Sequence, residues 1–265
     1  MTPTSLWVVG AGNMGGAMLR RWVASGAVQA TSVTVIDPRA PIVPDGVRVL
    51  AEPPAEAAPD ILMLGVKPQL LDAVASGYSD VRPALLVSIL AGVEEPILAQ
   101  RFTAGAVVRA MPNLPVGIGK GVVALHSSQG SESARSAVEA LMAPLGLVEW
   151  IADEAQFDAV TALSGCGPGF VYRFIDALAE AGVALGLPDD QAARLALATI
   201  EGAGLLAAAA GEPPSILADR VASPGGSTRA GLNVLDSDDA LKRLLRATLA
   251  ASAQRNRQMA EAARG

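Results

Sequence analysis

The sequence predicts an α/β fold, with a doubly wound parallel sheet in its N-terminal part and an all-helical domain after it. Three observations carry this. Short apolar runs alternate with helical segments as far as Trp150, the arrangement that builds a parallel sheet covered on both faces. Runs such as 60–66 and 85–89 are almost continuously apolar rather than alternating, as strands buried on both faces must be. From Asp153 onward strand patterns stop and stretches rich in Ala and Leu, both strong helix formers, take over. The expected domains are therefore 1–152 and 153–265.

The first element sets the type of sheet. An apolar run, Leu6-Trp7-Val8-Val9, ends in Gly10-Ala11-Gly12-Asn13-Met14-Gly15 and passes directly into a helical pattern over 14–25 closed by Gly26. Strand, glycine turn and helix in that order form a Rossmann-like dinucleotide-binding fingerprint. Gly10 permits the tight turn, Gly12 lets the backbone approach a pyrophosphate, and Gly15 lets helix and strand pack closely. The helix start adds unpaired N–H groups that attract phosphate.

The second strand is read at 33–36 and ends at Asp37-Pro38-Arg39. Asp37 stands about 20 residues past the fingerprint, where a carboxylate can bond a ribose 2′-OH and favour NAD. Arg39 can instead pair with a 2′-phosphate and favour NADP. The two residues point in opposite directions, and a solvated turn is the alternative reading of both. A Pro- and Ala-rich connection over 51–59 follows. Further strands are read at 60–66, 85–89 and 106–111, an edge strand within 116–126 and a last strand at 147–151. Helical segments at 70–76, 94–101 and 131–143 separate them. Ligands in such sheets bind beyond the carboxyl ends of the strands. Gly10–Gly15, Asp37–Arg39, Val66–Gln69, Ala91–Gly92 and Met111–Pro115 should then line one edge of one crevice, with Val66, Lys67, Pro68 and Asn113 among the candidate cofactor contacts. Lys67 stands out because the only other lysines are Lys120 and Lys242.

Composition narrows the function classes. A net charge of −6 disfavours a nucleic-acid partner. No run of 18 or more apolar residues is free of Gly, Pro or charge, so no membrane span is expected. A signal-peptide pattern is missing, and cytoplasmic residence is the expectation. Cys166 is the one cysteine and His126 the one histidine, so neither an internal disulfide nor a His/Cys metal site is expected. His126 falls near the end of the expected edge strand and reads as structural or surface.

In the helical part, helices are read at 153–163, 168–185, 190–210, 214–222, 226–235 and 238–262. Helices such as 195–210 are apolar around much of their circumference and need cover on several sides, so a homo-oligomer interface is expected. Two glycine-rich breaks interrupt these helices: Ser164-Gly165-Cys166-Gly167-Pro168-Gly169 and Ser223-Pro224-Gly225-Gly226-Ser227-Thr228. Each is expected to cluster backbone N–H groups at a helix start, a seat for a small carboxylate. Ser227 and Thr228 add hydroxyls. A dehydrogenase acting on an alcohol calls for a positioned base, usually His or Lys, and the helical part offers only Lys242. A C=N bond asks for less, because a basic imine arrives protonated and needs only alignment with a hydride donor.

These motifs together resemble the pyrroline-5-carboxylate reductase family over nearly the whole chain. The stretches that carry the resemblance are 8–15, Gly65-Val66-Lys67-Pro68-Gln69, Arg109-Ala110-Met111-Pro112-Asn113, 163–168 and 223–232. The resemblance implies a C-terminal substrate and dimerisation domain, and reduction of a cyclic imine to L-proline by hydride from NADPH, in some members NADH. It also implies a homodimer with interlocked helical domains, often assembled into a decamer. It places the substrate carboxylate on Ser223–Ser227, a hydroxyl beside the substrate nitrogen at Thr228, and an acidic substrate contact at Glu212. Phosphate and nicotinamide contacts fall on Gly12–Met14, Val66–Pro68 and Ala91–Gly92. Cys166, Gly169 and Leu114 depart from the family's usual Ser, Ala and Thr. A reductase of another cyclic imine or an α-carbonyl acid, and a non-catalytic dinucleotide-binding protein, are the alternative readings.

Overall fold

The computed structural model describes residues 5–55 and 58–264, so part of the 51–59 connection, residues 1–4 and residue 265 lie outside the described residues. An eight-stranded sheet forms from β1 (Leu6–Val9), β2 (Val33–Ile36), β3 (Arg48–Leu50), β4 (Ile61–Leu64), β5 (Leu85–Ser88), β6 (Ala106–Pro112), β7 (Gly121–His126) and β8 (Gly146–Trp150). Their order across the sheet is β3-β2-β1-β4-β5-β6-β7-β8. Helices α1 (Asn13–Ala24), α2 (Leu71–Ser76), α3 (Glu95–Arg101) and α4 (Glu132–Met142) accompany it.

Side chains alternate across a strand, and here both sets are buried. Leu6 and Val8 face one core with Val35, Met63 and Val87, covered by Met18 and Trp22 of α1 and Leu141 of α4. Trp7 and Val9 face the other with Leu62, Leu64 and Leu86, covered by Leu71 of α2 and Leu98 of α3. Double burial is why these strands are nearly all apolar.

Every neighbouring pair is parallel except β6–β7. The link from Pro112 to Gly121 holds a short 3-10 turn over Leu114–Ile118. That is too little chain for a parallel crossover, which takes a dozen or more residues, so β7 runs back against β6. The 116–126 segment is thus an interior strand, and β8 forms the edge. His126 corrects accordingly: it ends an interior strand and is buried. β3, a three-residue half-exposed strand, has no counterpart in the expected elements.

The expected helix over 153–163 resolves into a 3-10 turn at Glu154–Gln156, α5 (Phe157–Val160) and a π turn at Thr161–Gly165. The remaining helices are α6 (Gly167–Ala184), α7 (Asp189–Ala210), α8 (Pro214–Arg220), α9 (Ser227–Asp236) and α10 (Ala240–Arg264).

The chain divides into two compact units. The first runs to Cys166 and also takes in α10 from Ser252; the second is Gly167–Ala251. Residues beyond 152 are held to the sheet unit by Phe157, buried with Met111 and Ala124, so this division lies later than the domain boundary expected at 152. In the second unit α6 and α7 pack together, yet its large apolar side chains, among them Tyr172, Leu197, Leu206 and Leu244, stay exposed and only small residues such as Ala192 and Ala196 are buried. α7 has the length and apolarity to cross a membrane, a qualification to the expectation from the sequence. Its Glu201 lies mid-helix, and Arg194 pairs with Asp190 at 2.7 Å. Charges at such depth are costly in hydrocarbon, so the apolar surface of α7 suits a protein partner.

Candidate functional site

The glycine turn is built as the fingerprint requires. Gly10 sits at φ +84°, and a side-chain carbon there would lie 2.8 Å from Val66 Cγ1 and 3.0 Å from the Gly65 carbonyl. At Gly15 it would lie 2.7 Å from the Gly10 carbonyl oxygen, so α1 packs on β1 at a distance only glycine allows. At Gly12 it would meet nothing within 4 Å. Gly12 is also the N-cap of α1, makes no side-chain capping bond, and is exposed with Asn13. The helix start therefore offers its N–H groups to an open cradle, which fits a pyrophosphate.

Asp37, at the end of β2, faces this turn rather than solvent. It is 3% exposed. Its Oδ2 accepts from Ala11 N at 3.2 Å and from Arg39 Nη2 at 3.2 Å, while Oδ1 accepts from Arg39 N at 3.0 Å and Nε at 3.2 Å. Burial works to raise the carboxyl pKa, but the hydrogen bonds from Arg39 and Ala11 and the guanidinium charge outweigh it and hold the group below 3.8. The solvated-turn reading fails for Asp37. Arg39 remains 74% exposed, with its guanidinium docked on Asp37 along one edge.

Val66, Lys67 and Pro68 follow β4 and open a 3-10 turn with Lys67 exposed at its N-cap. Ala91 and Gly92 follow β5, with Ala91 exposed and Gly92 at φ +74°. Asn113, a candidate cofactor contact, is buried. Its Oδ1 accepts from Val122 N at 2.8 Å and its Nδ2 donates to the Ser164 carbonyl at 2.9 Å. Both ends of the amide are thereby used inside the protein, tying β6 to the π turn.

Ser164, Gly165 and Cys166 are not an open break. Ser164 Oγ donates to the Val160 carbonyl at 2.9 Å, Thr161 Oγ1 to the Phe157 carbonyl at 2.7 Å, and Cys166 N to the Thr161 carbonyl at 2.8 Å. Such back-bonding by Ser and Thr loosens the α ladder, and the chain answers with a π turn, a form often found at functional sites. The N–H cluster expected here is therefore partly consumed, and Gly167 and Pro168 open α6 directly.

The second glycine stretch does form an open turn. Gly226 N donates to the Ser223 carbonyl at 3.0 Å, and Gly225 sits at φ +74°. Pro224 and Gly225 are then the central residues of a type II pattern. Gly226 caps α9 without a side-chain bond, and Ser227 and Thr228 form the first turn, both exposed. Arg229 pairs with Asp219 at 2.6 Å across the turn. Glu212 accepts from Arg220 at 2.7 Å.

The sequence reading missed a buried charged group beside β6. The Glu154 carboxylate accepts from Arg109 and from Glu95 N. Glu95 in turn accepts from Ser128 N at 2.7 Å and Oγ at 2.9 Å, and lies 3.4 Å from His126 Nε2. His126 Nδ1 is 2.8 Å from the Ile151 carbonyl, and Arg109 lies 4.4 Å over the Phe157 ring. These residues join the start of α3 to the chain leaving β8. Their separation in sequence gave no local signal. Among the described residues no group of three His, Cys, Asp or Glu side chains could hold a metal ion.

Comparison with known proteins shows what the chain is similar to. Residues 154–259 match a family model described as pyrroline-5-carboxylate reductase dimerisation, and residues 5–92 one described as NADP oxidoreductase, coenzyme F420-dependent. A pyrroline-5-carboxylate reductase from Synechocystis is 36% identical over 239 residues, covering 87% of this chain and 89% of the relative. A solved pyrroline-5-carboxylate reductase from Coxiella burnetii superposes with a TM-score of 0.86 at 26% identity, over 97% of this chain and 98% of that one. A Plasmodium falciparum pyrroline carboxylate reductase solved with NADP bound gives a TM-score of 0.80 at 25% identity, over 98% and 99%.

Proposed function

The chain belongs to the pyrroline-5-carboxylate reductase family, and from that premise we propose that it reduces the C=N bond of 1-pyrroline-5-carboxylate to give L-proline, the last step of proline synthesis. When bound, NADPH supplies the hydride that is delivered to the imine carbon. The observation that carries the reading is the pairing, in one chain, of an open glycine cradle at Gly12 with an uncapped helix start at Ser227 behind a Ser223–Gly226 turn.

In this reading Gly10–Gly15 hold the pyrophosphate, and Arg39 meets the 2′-phosphate. Asp37 is compatible with that phosphate because Arg39 and Ala11 surround its charge. Val66–Pro68 and Ala91–Gly92 border the nicotinamide half, with Asn113 supporting from behind. Ser223–Ser227 take the substrate carboxylate on their backbone N–H groups. Thr228 Oγ1 lies beside the substrate nitrogen and keeps the protonated imine hydrogen-bonded. Ser164–Pro168 and Glu212 complete the substrate contacts, with Glu212 steadied by Arg220. The chain's own contribution is alignment and exclusion of water, as an already protonated imine requires.

Segments 1–152 and 153–265 serve as cofactor and substrate or dimerisation domains. The exposed apolar helices of the second unit and the dimerisation match support a homo-oligomer. A homodimer, further assembled into a decamer, and a cytoplasmic location complete the proposal. The test is direct: purified protein with pyrroline-5-carboxylate and NADPH should consume the reduced cofactor, seen as falling absorbance, and release proline. No oxidation with either NADPH or NADH refutes the reading.

A further inference from the structure

The end of α10, from Ser252 onward, belongs to the sheet unit. Ser252, Asn256 and Ala260 are spaced by four residues and so share one helix face. Ser252 Oγ donates to Cys166 Sγ at 3.2 Å. Cys166 closes the π turn that Asn113, just beyond β6, holds through the Ser164 carbonyl. At the other end, a side-chain carbon on Gly92, just beyond β5, would lie 3.3 Å from Ala260 Cα. The face thus passes from the β6 end to the β5 end, and Asn256 is midway, about 6 Å along the axis from each neighbour.

Asn256 is anomalous there. Its Nδ2 is buried and has no hydrogen-bond partner among the described residues. Buried amide donors are almost always paired, and an orphan marks a missing acceptor. The strand order says which acceptor. With the glycine turn after β1 and Asp37–Arg39 after β2, the adenosine half lies on the β2 side, and the other half must extend over β4 and β5. The ligand group that reaches the β5 end is the nicotinamide.

We propose that Asn256 is a cofactor-binding residue whose Nδ2 donates to the carboxamide oxygen of the nicotinamide, with α10 forming the wall that orients the ring. The proposal rests on the reading of the chain as a dinucleotide-binding reductase. It also explains the close approach at Gly92: a larger residue at 92 or 260 would push the wall away from the β5 end.

The test compares two ligands on the whole chain: NADPH, and 2′-phospho-ADP-ribose, which carries every cofactor group except the nicotinamide ring. Binding is read by calorimetry, without substrate or turnover. Asn256→Leu and the near-isosteric Asn256→Asp should each weaken NADPH about five- to twentyfold and leave the fragment's affinity unchanged. Asn256→Leu should also leave the melting temperature of the free protein equal or higher, since the orphan donor is gone. Equal NADPH affinity in both variants, or equal losses for the two ligands, overturns the proposal. A wild-type protein that binds neither ligand removes the cofactor reading and this inference with it.

Discussion

Replacement of Asp37 by Ala separates two roles for a carboxylate at this place in a dinucleotide fold. A ribose-reading Asp repels a 2′-phosphate, so its removal would raise preference for NADPH over NADH. The structure instead turns Asp37 inward, onto Ala11 N and Arg39. Removing it leaves the N–H of Ala11, a residue only 7% exposed, without its acceptor, at a cost of about 1–3 kcal/mol. The released Arg39 donors turn to water at little cost. Asp37→Ala should therefore lower the free energy of unfolding in urea by about 1–3 kcal/mol. It should also raise KM for both cofactors, NADPH at least as much as NADH, because the turn loosens and Arg39 loses its anchor. A variant with unchanged stability and a higher NADPH/NADH ratio in kcat/KM would refute this account. The pH dependence has a definite sign. The folded carboxyl lies below the ordinary 3.8, so its contribution is complete above that value. As pH falls, the unfolded chain takes up the proton first, and the contribution is lost on passing through the lower folded pKa.

Four more outcomes follow from the geometry. Gly12→Ala places a methyl in open space, so its melting temperature should match wild type while NADPH binding weakens at least tenfold, roughly the effect of displacing a phosphate from helix N–H groups; Gly15→Ala, 2.7 Å from a backbone oxygen, should instead cost about 1–3 kcal/mol of stability. Thr228→Ala should lower kcat by about tenfold or more, as loss of a hydrogen bond to a charged group implies, with the NADPH dissociation constant unchanged in a fluorescence titration. Tyr78 is buried among apolar side chains with an unpartnered hydroxyl, and burial pushes its phenol well above the ordinary value; Tyr78→Phe should keep or raise stability, by up to about 1 kcal/mol, in a thermal melt.

Local signals account for what could be read in advance. β1, the glycine turn and α1 carry periodicity, turn chemistry and a positive-φ glycine within twenty residues, and all three agree. β3 is three half-exposed residues held by β2, and no pattern that short distinguishes itself from loop. The direction of β7 depended on chain length between strands rather than on its apolar residues, which suit either direction. Ser164–Cys166 looked like a break because glycine and serine disfavour helices, yet side-chain bonds to carbonyls four residues back kept the segment helical as a π turn. Asp37 shows the limit most clearly. Its position was readable, but whether a strand-end carboxylate looks outward to a ribose or inward to a backbone N–H is decided by the neighbouring turn. Arg109 and Glu154 acquire meaning only from partners far away in the chain, and Asn256 only from the distant segments that neighbour its helix.

The return of α10 to the sheet unit has a consequence for how the molecule is made. The helical unit is an insertion, entered after Cys166 and left before Ser252, so it is tethered at both ends. During synthesis the sheet can pair its strands early, but the Gly92 loop lacks its Ala260 neighbour until the helical unit has been made. The dinucleotide unit is thus begun before the helical unit and completed after it, and a product truncated before Ser252 would keep its fingerprint while missing the piece that seats against Gly92.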